Sequence, residues 1–279
     1  MKILLKRTGA LGDVVLATPI LRRLRREYPD AHLTVHTACP EVFADNPHVN
    51  AVNAAGPFDR VIDLDLAYEK RPDLHVVDAY WLEAFGDTGD PADMQQVLPS
   101  APAGAPVLAG PYVVLHAPML GWRSRVLPMP FWDAVAAGLR ARGLAPVFVG
   151  RRPDYAAGRS GGLDLRDRLT LGALRAVIDR ATAFVGMDSG LLHVAGATMT
   201  PIVGVFTCAL PERRLPWRTG VLGYRCASVQ PDLPCLGCLH EIPPPVTTMT
   251  CRRGDTACTG SAAPAAQRAV EAVQALCVA

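Results

Sequence analysis

An acidic residue closes a glycine-bearing turn near the start of the chain. The segment RTGALGDVVLATP, residues 7–19, follows an apolar run at residues 3–5 and precedes a helical pattern. Glycines at a strand-to-helix turn bring the backbone close to a phosphate, which a carboxylate at Asp13 would repel. The residues alone leave two interpretations of Asp13: a group that performs chemistry, or the N-cap of a helix that begins at Val14.

A second strand-to-helix turn carries residues suited to phosphate binding. In VGMDSGLLHVAGATMTPIVGVF, residues 185–206, Asp188 or Ser189 can cap a helix that contains Gly190 and His193. The N–H groups and partial positive charge of a helix N-terminus suit a diphosphate. The alternative is a capped helix that simply packs on a sheet.

Two further segments contain candidate binding residues. In HAPMLGWRSRVLP, residues 116–128, His116 ends a strand, and Arg123 and Arg125 lie in the loop beyond it. Arginines there can neutralise phosphate oxygens through forked hydrogen bonds, unless they are ordinary surface arginines. In YEKRPDLHVVDAY, residues 68–80, Glu69 and His75 are candidates for an acceptor site, with an amphipathic helix and its preceding loop as the alternative.

Four cysteines near the C-terminus have the spacing of a metal site. Two residues separate Cys235 from Cys238, twelve more precede Cys251, and six more precede Cys258. A C-x2-C turn lets two thiolates converge on one metal, and a second pair completes a tetrahedron. Four thiolates suit zinc and iron equally. The role is expected to be structural, since a closed site leaves no position for substrate and metal binding supplies folding energy.

Other readings of the cysteines stay open. Cys226 can replace one of the four ligands, and four unligated thiols in a loop are the alternative to any metal site. Cys39, Cys208 and Cys277 are interpreted as ordinary thiols.

Hydrophobic periodicity predicts the elements that position these residues. Strands are expected at 2–7, 32–37, 51–54, 59–64, 112–116, 146–149, 183–186 and 201–206, and helices at 14–28, 75–86, 130–142, 171–181 and 190–197. Residues 87–110 are dense in Pro, Gly and Ala, which is typical of a linker. Two runs of alternating strands and helices predict two α/β domains, 1–108 and 109–279, with parallel sheets. Ligands of such sheets bind at the carboxyl ends of the strands.

Composition excludes several function classes. The net charge is +2, which gives no broad electrostatic footprint for nucleic acid. Half of the residues are hydrophobic and 19% are charged, as in an ordinary globular protein. No apolar run has the length of a membrane span, and Asp13 interrupts what would be the apolar region of a signal peptide. We therefore expect a cytoplasmic protein without a transmembrane segment.

The two glycine-bearing turns, the arginine segment and DLRDRLTLGALRAVIDRATAF, residues 164–184, together resemble glycosyltransferase family nine, the ADP-heptose heptosyltransferases. The D-S-G-x-x-H-x-A segment is the most specific part of the resemblance. It implies a GT-B type α/β fold, with two Rossmann-like domains of parallel sheets facing a cleft. The first domain is then the acceptor side, and the second binds the nucleotide sugar.

The resemblance also implies roles for individual residues. Asp13 takes the position of the base that removes the acceptor proton in an inverting transfer, which suits a carboxylate within hydrogen-bond reach of the hydroxyl. Gly12, Glu69 and His75 are assigned to the acceptor side. The donor side is expected to comprise His116, Arg123, Arg125, Asp188, Ser189, Gly190, Leu191 and His193.

Two departures from the usual family pattern bear on partners and cofactors. The first domain is short, which leaves the acceptor open between protein and lipopolysaccharide. The cysteine-rich segment 226–259 resembles the finger of the bacterial autotransporter heptosyltransferases, which favours one structural iron per chain, with zinc as the alternative. The expected donor is ADP-heptose or a similar nucleotide sugar; no organic cofactor is expected, and a homo-oligomer is one option for assembly.

Two other functions stay as alternatives. A Rossmann oxidoreductase would use the first turn for a dinucleotide, but that turn reads G-A-L-G-D without the third glycine of G-x-G-x-x-G. A GT-B-like scaffold without catalytic activity is the other alternative, although Asp13 and the Asp188-Ser189-Gly190 segment are intact.

Overall fold

Apolar runs form the central strands of two parallel sheets. The computed structural model describes residues 1–119, 123–155, 161–241, 251, 253–260 and 262–278. The first sheet has the order β3-β2-β1-β4 and comprises β1 (Lys2–Lys6), β2 (His32–His36), β3 (Ala51–Val52) and β4 (Arg60–Asp63). In its centre Ile3 pairs with Leu33 on one side and with Arg60 on the other. Helices α1 (Leu11–Glu27) and α2 (Val76–Phe85) follow β1 and β4 in the chain.

The second sheet has six parallel strands in the order β12-β9-β8-β5-β6-β7. Its strands are β5 (Tyr112–His116), β6 (Ala145–Phe148), β7 (Leu163–Asp164), β8 (Ala183–Met187), β9 (Ile202–Val205) and β12 (Cys226–Val229). The remaining strands, β10 (Trp217–Arg218) and β11 (Val221–Leu222), form an antiparallel hairpin. The helices are α3 (Met129–Arg140), α4 (Leu171–Asp179), α5 (Gly190–Gly196), α6 (Ala257–Gly260) and α7 (Ala262–Val278). The predicted α/β class with two parallel sheets is confirmed.

Two hydrophobic cores cover the second sheet, and one of them belongs to both sheets. Helices α3 and α7 pack together over one face, with Val113, Phe131 and Val270 buried between them. The other core is continuous from Ile3 in β1 through Leu192 in α5 to Phe206. The two sheets are therefore joined by buried apolar surface. Within the described part of the chain, none of the helices has the length and apolar content needed to cross a bilayer.

The predicted linker at 87–110 is packed between the two sheets. It forms no strand or long helix, but Met94 and Leu98 are buried in the shared core. Val97 donates its N–H to Thr18 Oγ1 at 2.9 Å, and Arg175 donates to the Leu98 carbonyl at 2.9 Å. Hydrogen bonds from both halves therefore fix this connection. Its buried apolar residues make it a packed segment, which its Pro and Gly content did not indicate. The domain boundary at residues 108 and 109 stays a prediction.

Most predicted elements lie within a few residues of the observed bounds. The largest shift is in α1, which begins at Leu11 rather than at Val14. Sequence periodicity missed helices α6 and α7 and strands β7, β10, β11 and β12, most of which are short. Short edge strands carry too few residues for a period to register.

A buried arginine fixes the C-terminal end of α5. Arg218, in the β10–β11 hairpin, is fully buried. It donates to the carbonyls of Ala195 at 2.7 Å, Gly196 at 3.2 Å and Thr200 at 3.0 Å. A cation at this end of a helix also complements the helix dipole. The hairpin thereby holds the short helix α5 in place.

Helices α1 and α5 approach each other most closely at two glycines. A Cβ atom on Gly12 would lie 2.8 Å from His193 Cδ2 and 3.0 Å from Gly190 Cα, and a Cβ atom on Gly190 would lie 3.2 Å from the Gly12 nitrogen. Real Cβ atoms essentially never approach other heavy atoms closer than 3.0 Å. The absence of side chains at Gly12 and Gly190 is therefore what lets the two glycine-bearing turns meet.

His75 forms a second contact between the two halves of the chain. It is the N-cap residue of α2, and its Nδ1 accepts the Val77 N–H at 3.1 Å. Its Nε2 lies 2.9 Å from the Leu215 carbonyl, to which it donates. Only the neutral imidazole satisfies both bonds. Burial, partly offset by the Leu215 carbonyl, lowers the pKa of His75 to about 3.

Replacing Gly12 by Ala should push the two turns apart. We expect Gly12→Ala to lower the free energy of unfolding by about 1–3 kcal/mol, the usual cost of overpacking. The measurement is chemical denaturation of the variant beside Gly56→Ala, because a Cβ atom on Gly56 meets nothing within 4 Å. Equal stability of the two variants would contradict the close approach.

His75 should make the protein lose stability as the pH falls. Above its unfolded pKa of 6.5 the residue is neutral in both states; below it, the unfolded chain gains a proton that the folded chain refuses until about pH 3. Its share of the loss is about 1.4 kcal/mol per pH unit across that window.

The matching test is the slope of unfolding free energy against pH between 6.5 and 4. His75→Asn, which retains an N-cap acceptor, should give a slope smaller by about one proton. The exposed control His32→Asn should leave the slope unchanged. A His75→Asn slope identical to that of the unsubstituted protein would refute the buried neutral imidazole.

Candidate active site

The first glycine-bearing turn connects the carboxyl end of β1 to helix α1. Thr8 donates its N–H to Asp65 Oδ1 at 2.8 Å and its hydroxyl to Asp65 Oδ2 at 2.6 Å, which ties the turn to the end of β4. The N-cap residue of α1 is Ala10, and Asp13 is the third residue of the helix. The interpretation of Asp13 as the N-cap of a helix starting at Val14 is therefore wrong.

The Asp13 carboxylate has one oxygen engaged and one available. Its Oδ2 accepts the Ala10 N–H at 3.0 Å and lies 3.0 Å from Arg7 Nη2. Oδ1 makes no hydrogen bond or ion pair with any residue that the structure describes. The side chain is 23% exposed. A carboxylate fixed through one oxygen can accept a proton at the other.

Arg7 gathers the acidic residues of this turn into one group, the Arg7 cluster, formed by Arg7, Asp13, Asp65 and Glu69. Arg7 is buried, and it lies 3.4 Å from Asp65 Oδ1 and 3.7 Å from Glu69 Oε1. Its guanidinium also lies over the Tyr68 ring, at 5.5 Å from the centroid. Lys6 Nζ lies 2.9 Å from Asp63 Oδ2 and 3.1 Å from Asp65 Oδ2, so two cations, Lys6 and Arg7, face four carboxylates and this side of the site is negatively charged.

The second glycine-bearing turn connects the carboxyl end of β8 to α5. Ser189 is at the N-cap position of α5, but its side chain makes no capping bond. It instead lies 3.0 Å from His116 Nδ1, and His116 Nε2 lies 3.3 Å from Asp154 Oδ2. With the Nε2 proton directed at that carboxylate, Nδ1 is an acceptor for the Ser189 hydroxyl, whose other acceptor is the Met187 carbonyl at 3.2 Å. Ser189 and His116 therefore fix the backbone of this turn.

Asp188 is the centre of a second group, the Asp188 cluster, formed by Asp188, Arg125, His193 and Arg214. Its Oδ2 lies 3.2 Å from Arg125 Nη2 and 3.7 Å from Arg214 Nε, and its Oδ1 lies 3.9 Å from His193 Nε2. Arg125 Nη2 also donates to the Asp188 carbonyl. Burial raises the pKa of Asp188, but the two arginines outweigh it and the net shift is downward. Two cations against one carboxylate leave this group positively charged.

Arg214, a member of the Asp188 cluster, lies against the Tyr68 ring, which Arg7 also contacts. It is buried, its Nε has no hydrogen-bond partner in the described part of the chain, and its guanidinium lies 4.9 Å from the centroid of the Tyr68 ring. Burial opposes the charged form, but Asp188 and other nearby groups raise the pKa of Arg214 overall. A buried guanidinium with this little hydrogen bonding is a site for an anion.

His193 connects the Asp188 cluster to the first turn. Its ring is the group that a Cβ atom on Gly12 would strike. Burial, opposed by the charge of Asp188, lowers the pKa of His193 to about 4. The imidazole is therefore neutral at physiological pH and adds no charge to the cluster.

Several buried polar atoms at this junction make no hydrogen bond to the described residues, although Asp188 Oδ2 and Arg214 Nε lie within ion-pair distance of each other. They are Arg7 Nε, Glu69 Oε2, Tyr80 Oη, Asp188 Oδ2, His193 Nδ1 and Arg214 Nε. Buried polar atoms are nearly always satisfied, so a concentration of unsatisfied ones marks a place where water or a ligand binds. The junction of the two turns is therefore the candidate active site.

The structure brings most predicted site residues to this junction, but not all of them. Arg123 is exposed, and the Leu191 side chain is buried in the shared core. His75 has both ring nitrogens engaged by Val77 and Leu215. Sequence reasoning missed Arg7, Asp154 and Arg214. Arg7 lies inside the quoted motif, whereas Arg214 gives no local signal, since its partners are distant in sequence.

The four predicted metal-binding cysteines line one small cavity, here called the thiol cavity. Its volume is about 20 Å³, and Cys235, Cys238, Cys251 and Cys258 surround it together with Cys208, Ser124 and Thr207. Burial and the neighbouring thiols raise the pKa of Cys258 to about 12. Among the residues that the structure describes, no three His, Cys, Asp or Glu side chains lie close enough together to hold a metal as they stand. The metal finger stays a prediction; residues 242–250 and 252 of it lie outside the described residues.

The other cysteines lie apart from this cavity, with the exception of Cys208. Cys226, the predicted substitute ligand, is in β12 beside Arg218, and its sulfur accepts from Arg218 Nη1 at 4.0 Å. Cys39 and Cys277 do not line the thiol cavity.

The chain matches the model of a known protein family over 90–238, which is described as glycosyltransferase family 9 (heptosyltransferase). It is also 30% identical over 165 residues to lipopolysaccharide heptosyltransferase 1 of Pseudomonas aeruginosa. That match covers 57% of this chain and 42% of the relative, so the chain aligns with less than half of the relative's length.

Solved structures share the fold. The iron-containing dodecameric glycosyltransferase TibC of enterotoxigenic E. coli is 17% identical, with a TM-score of 0.77 over 98% of this chain and 76% of TibC. TibC has also been solved in complex with ADP-D-β-D-heptose. The ADP-heptose lipopolysaccharide heptosyltransferase II of E. coli is 18% identical, with a TM-score of 0.70 over 100% of this chain and 99% of the enzyme.

The family model spans more than half of the chain, and its matched range contains the Asp188 cluster and the arginines that surround it. The chain therefore belongs to glycosyltransferase family 9, the heptosyltransferase family.

Proposed function

We propose that this protein is an inverting glycosyltransferase that moves a heptose-like sugar from a nucleotide diphosphate donor to a hydroxyl of a protein or lipopolysaccharide acceptor. The proposed donor is ADP-heptose. The observation that carries the proposal is the pairing of two clusters of opposite charge across the Gly12–Gly190 contact. TibC binds ADP-D-β-D-heptose with the same fold, which supports the choice of donor.

The Asp188 cluster is the proposed donor site. Arg125 and Arg214 supply the guanidinium groups that bind phosphate oxygens, as forked donors do. Ser189, Gly190 and the backbone of Leu191 form the adjoining wall, His116 holds Ser189, and exposed Arg123 closes over the donor. Neutral His193 is proposed to face the sugar through its unsatisfied Nδ1.

The Arg7 cluster is the proposed acceptor side. Asp13 Oδ1 takes the proton of the acceptor hydroxyl while the hydroxyl oxygen attacks the anomeric carbon. The bond from that carbon to the diphosphate oxygen breaks, and ADP leaves toward Arg125 and Arg214, which stabilise its charge. Attack from the Asp13 side and departure toward the Asp188 cluster invert the configuration. Gly12 and Glu69 line the approach, and His75 supports it from α2.

The charge of the first turn disfavours the oxidoreductase alternative. A dinucleotide bound there would place its pyrophosphate against Asp13, Asp65 and Glu69, whose negative charge Arg7 and Lys6 only partly neutralise. The same phosphates meet a net positive charge at the Asp188 cluster.

The activity test is incubation of purified protein with a panel of nucleotide sugars. Release of ADP from ADP-heptose in the presence of an acceptor, with inverted anomeric configuration by NMR, is the expected result. Binding of NAD without turnover of any nucleotide sugar would overturn the proposal.

We also propose that the thiol cavity holds one structural metal per chain. Cys235, Cys238, Cys251 and Cys258 would supply four thiolates. The cavity volume of about 20 Å³ has room for one particle of about the size of a water molecule. Four thiolates suit iron or zinc, and the iron content of TibC favours iron. The metal would order the segment around it. Because TibC is dodecameric, a homo-oligomer belongs to the proposal as well.

Asp13→Asn should remove the base and leave the donor site intact. We expect kcat to fall by roughly 10²–10⁴, with the affinity for ADP unchanged, because Asn keeps the Ala10 contact but accepts no proton. Steady-state kinetics and calorimetry measure the two quantities. The exposed control Asp30→Asn should behave as the unsubstituted enzyme, and near-normal turnover in Asp13→Asn would remove Asp13 from the chemistry.

Replacing Cys235 and Cys238 by Ser should release the metal. Elemental analysis of the unsubstituted protein is expected to give about one iron or zinc per chain, with almost none in the double variant. Cys39→Ser, which leaves the thiol cavity intact, should retain the full content. A well-folded, metal-free protein with titratable free thiols would end the metal proposal.

A further inference from the structure

The turn Arg123–Arg125, here called the arginine turn, lies between the donor site and the thiol cavity. On one side Arg125 contacts the Asp188 carbonyl and lies 3.2 Å from its carboxylate. On the other side Ser124 is buried and lines the thiol cavity. One three-residue turn therefore forms a wall of both sites.

The backbone of the arginine turn is bonded to the residues around the thiol cavity. The Ser124 carbonyl accepts the Thr207 hydroxyl, and it also accepts from Cys258 Sγ at 3.8 Å. Thr207 precedes Cys208 at the carboxyl end of β9 and lines the cavity itself. Both donors to this carbonyl, Thr207 and Cys258, thus belong to the cavity wall. A displacement of either one changes a hydrogen bond to Ser124.

We propose that the thiol cavity and the donor site are coupled binding sites. A metal in the thiol cavity tightens ADP binding, and bound ADP slows loss of the metal, with Thr207 as the positioning residue between them. The inference rests on the proposed donor site and on the proposed metal.

The coupling arises because both the metal and ADP restrict the motion of the arginine turn. A metal bound by Cys235, Cys238, Cys251 and Cys258 would link separate stretches of the chain around the cavity, and without it Cys258 and α6 have more freedom to move beside the arginine turn. ADP must then order the turn when it binds Arg125, which lowers affinity. A metal fixes the segment in advance. Each cysteine that binds it releases a thiol proton to solvent, so Cys258 stops donating to Ser124 and the Thr207 hydroxyl becomes the remaining link.

The experiment compares ADP affinity by calorimetry in four proteins: metal-loaded, metal-depleted by chelator, Thr207→Val and Thr259→Val. We expect metal removal to weaken ADP binding roughly tenfold, within the usual range of coupling between sites. Loaded Thr207→Val should keep its metal and its melting temperature within a few degrees but bind ADP with the affinity of the depleted protein. Thr259→Val is the matched control, since its hydroxyl donates to the carbonyl of Thr256, just before α6, and not to that of Ser124.

Reciprocity gives a second readout that needs no enzyme activity. Saturating ADP should slow metal transfer to a chelator in the unsubstituted protein and in Thr259→Val, but not in Thr207→Val. Where the depleted protein unfolds, the loaded Thr207→Val and Thr259→Val variants decide the question. Equal ADP affinity in those two variants overturns the coupling and leaves the donor site standing. No ADP binding by any of the four proteins overturns the donor site and the coupling with it.

Discussion

The contact between Gly12 and Gly190 is the constraint on which the rest of the site depends. Each glycine lies at the start of a helix that follows a central strand; a Cβ atom would clash at Gly12 and would be tightly crowded at Gly190. The approach brings the carboxyl ends of β1 and β8 to one place, so that residues from the two sheets share a single buried junction. A side chain at either glycine would separate the carboxylate of Asp13 from the cations around Asp188.

Charge separation across this contact gives the two turns different chemistry. Arg7 and Lys6 only partly neutralise the carboxylates of the first turn, which keeps this turn negative, whereas Asp188 lies between two arginines. A carboxylate base in direct contact with an anion site would repel the bound diphosphate. Here the carboxylate and the anion site each have their own cations. Tyr68 lies against both Arg7 and Arg214, so an aromatic ring contacts one guanidinium from each charge group.

Local patterns were sufficient to predict the two sheets and both turns. Apolar runs such as residues 112–116 form buried parallel strands, and the glycines and acids that follow them are at the strand ends. Local patterns also suggested an N-cap role for Asp13, which failed because α1 starts before the first periodic apolar residue. Arg214 and the packed connection at Met94 and Leu98 escaped prediction, since their contacts join residues far apart in sequence. Helix α7 and the contacts of Ser124 with Thr207 and Cys258 depend on tertiary packing in the same way.

The most direct measurement of the central claim is a crystal structure of the protein with ADP. The account predicts phosphate oxygens within about 3.2 Å of guanidinium nitrogens of Arg125 or Arg214, on the Asp188 side of the Gly12–Gly190 contact. The Asp13 carboxylate should face open space on the opposite side, where an acceptor hydroxyl can reach Oδ1. A diphosphate bound on the first turn, against Asp13 and the Arg7 cluster, would contradict the assignment of the two sides.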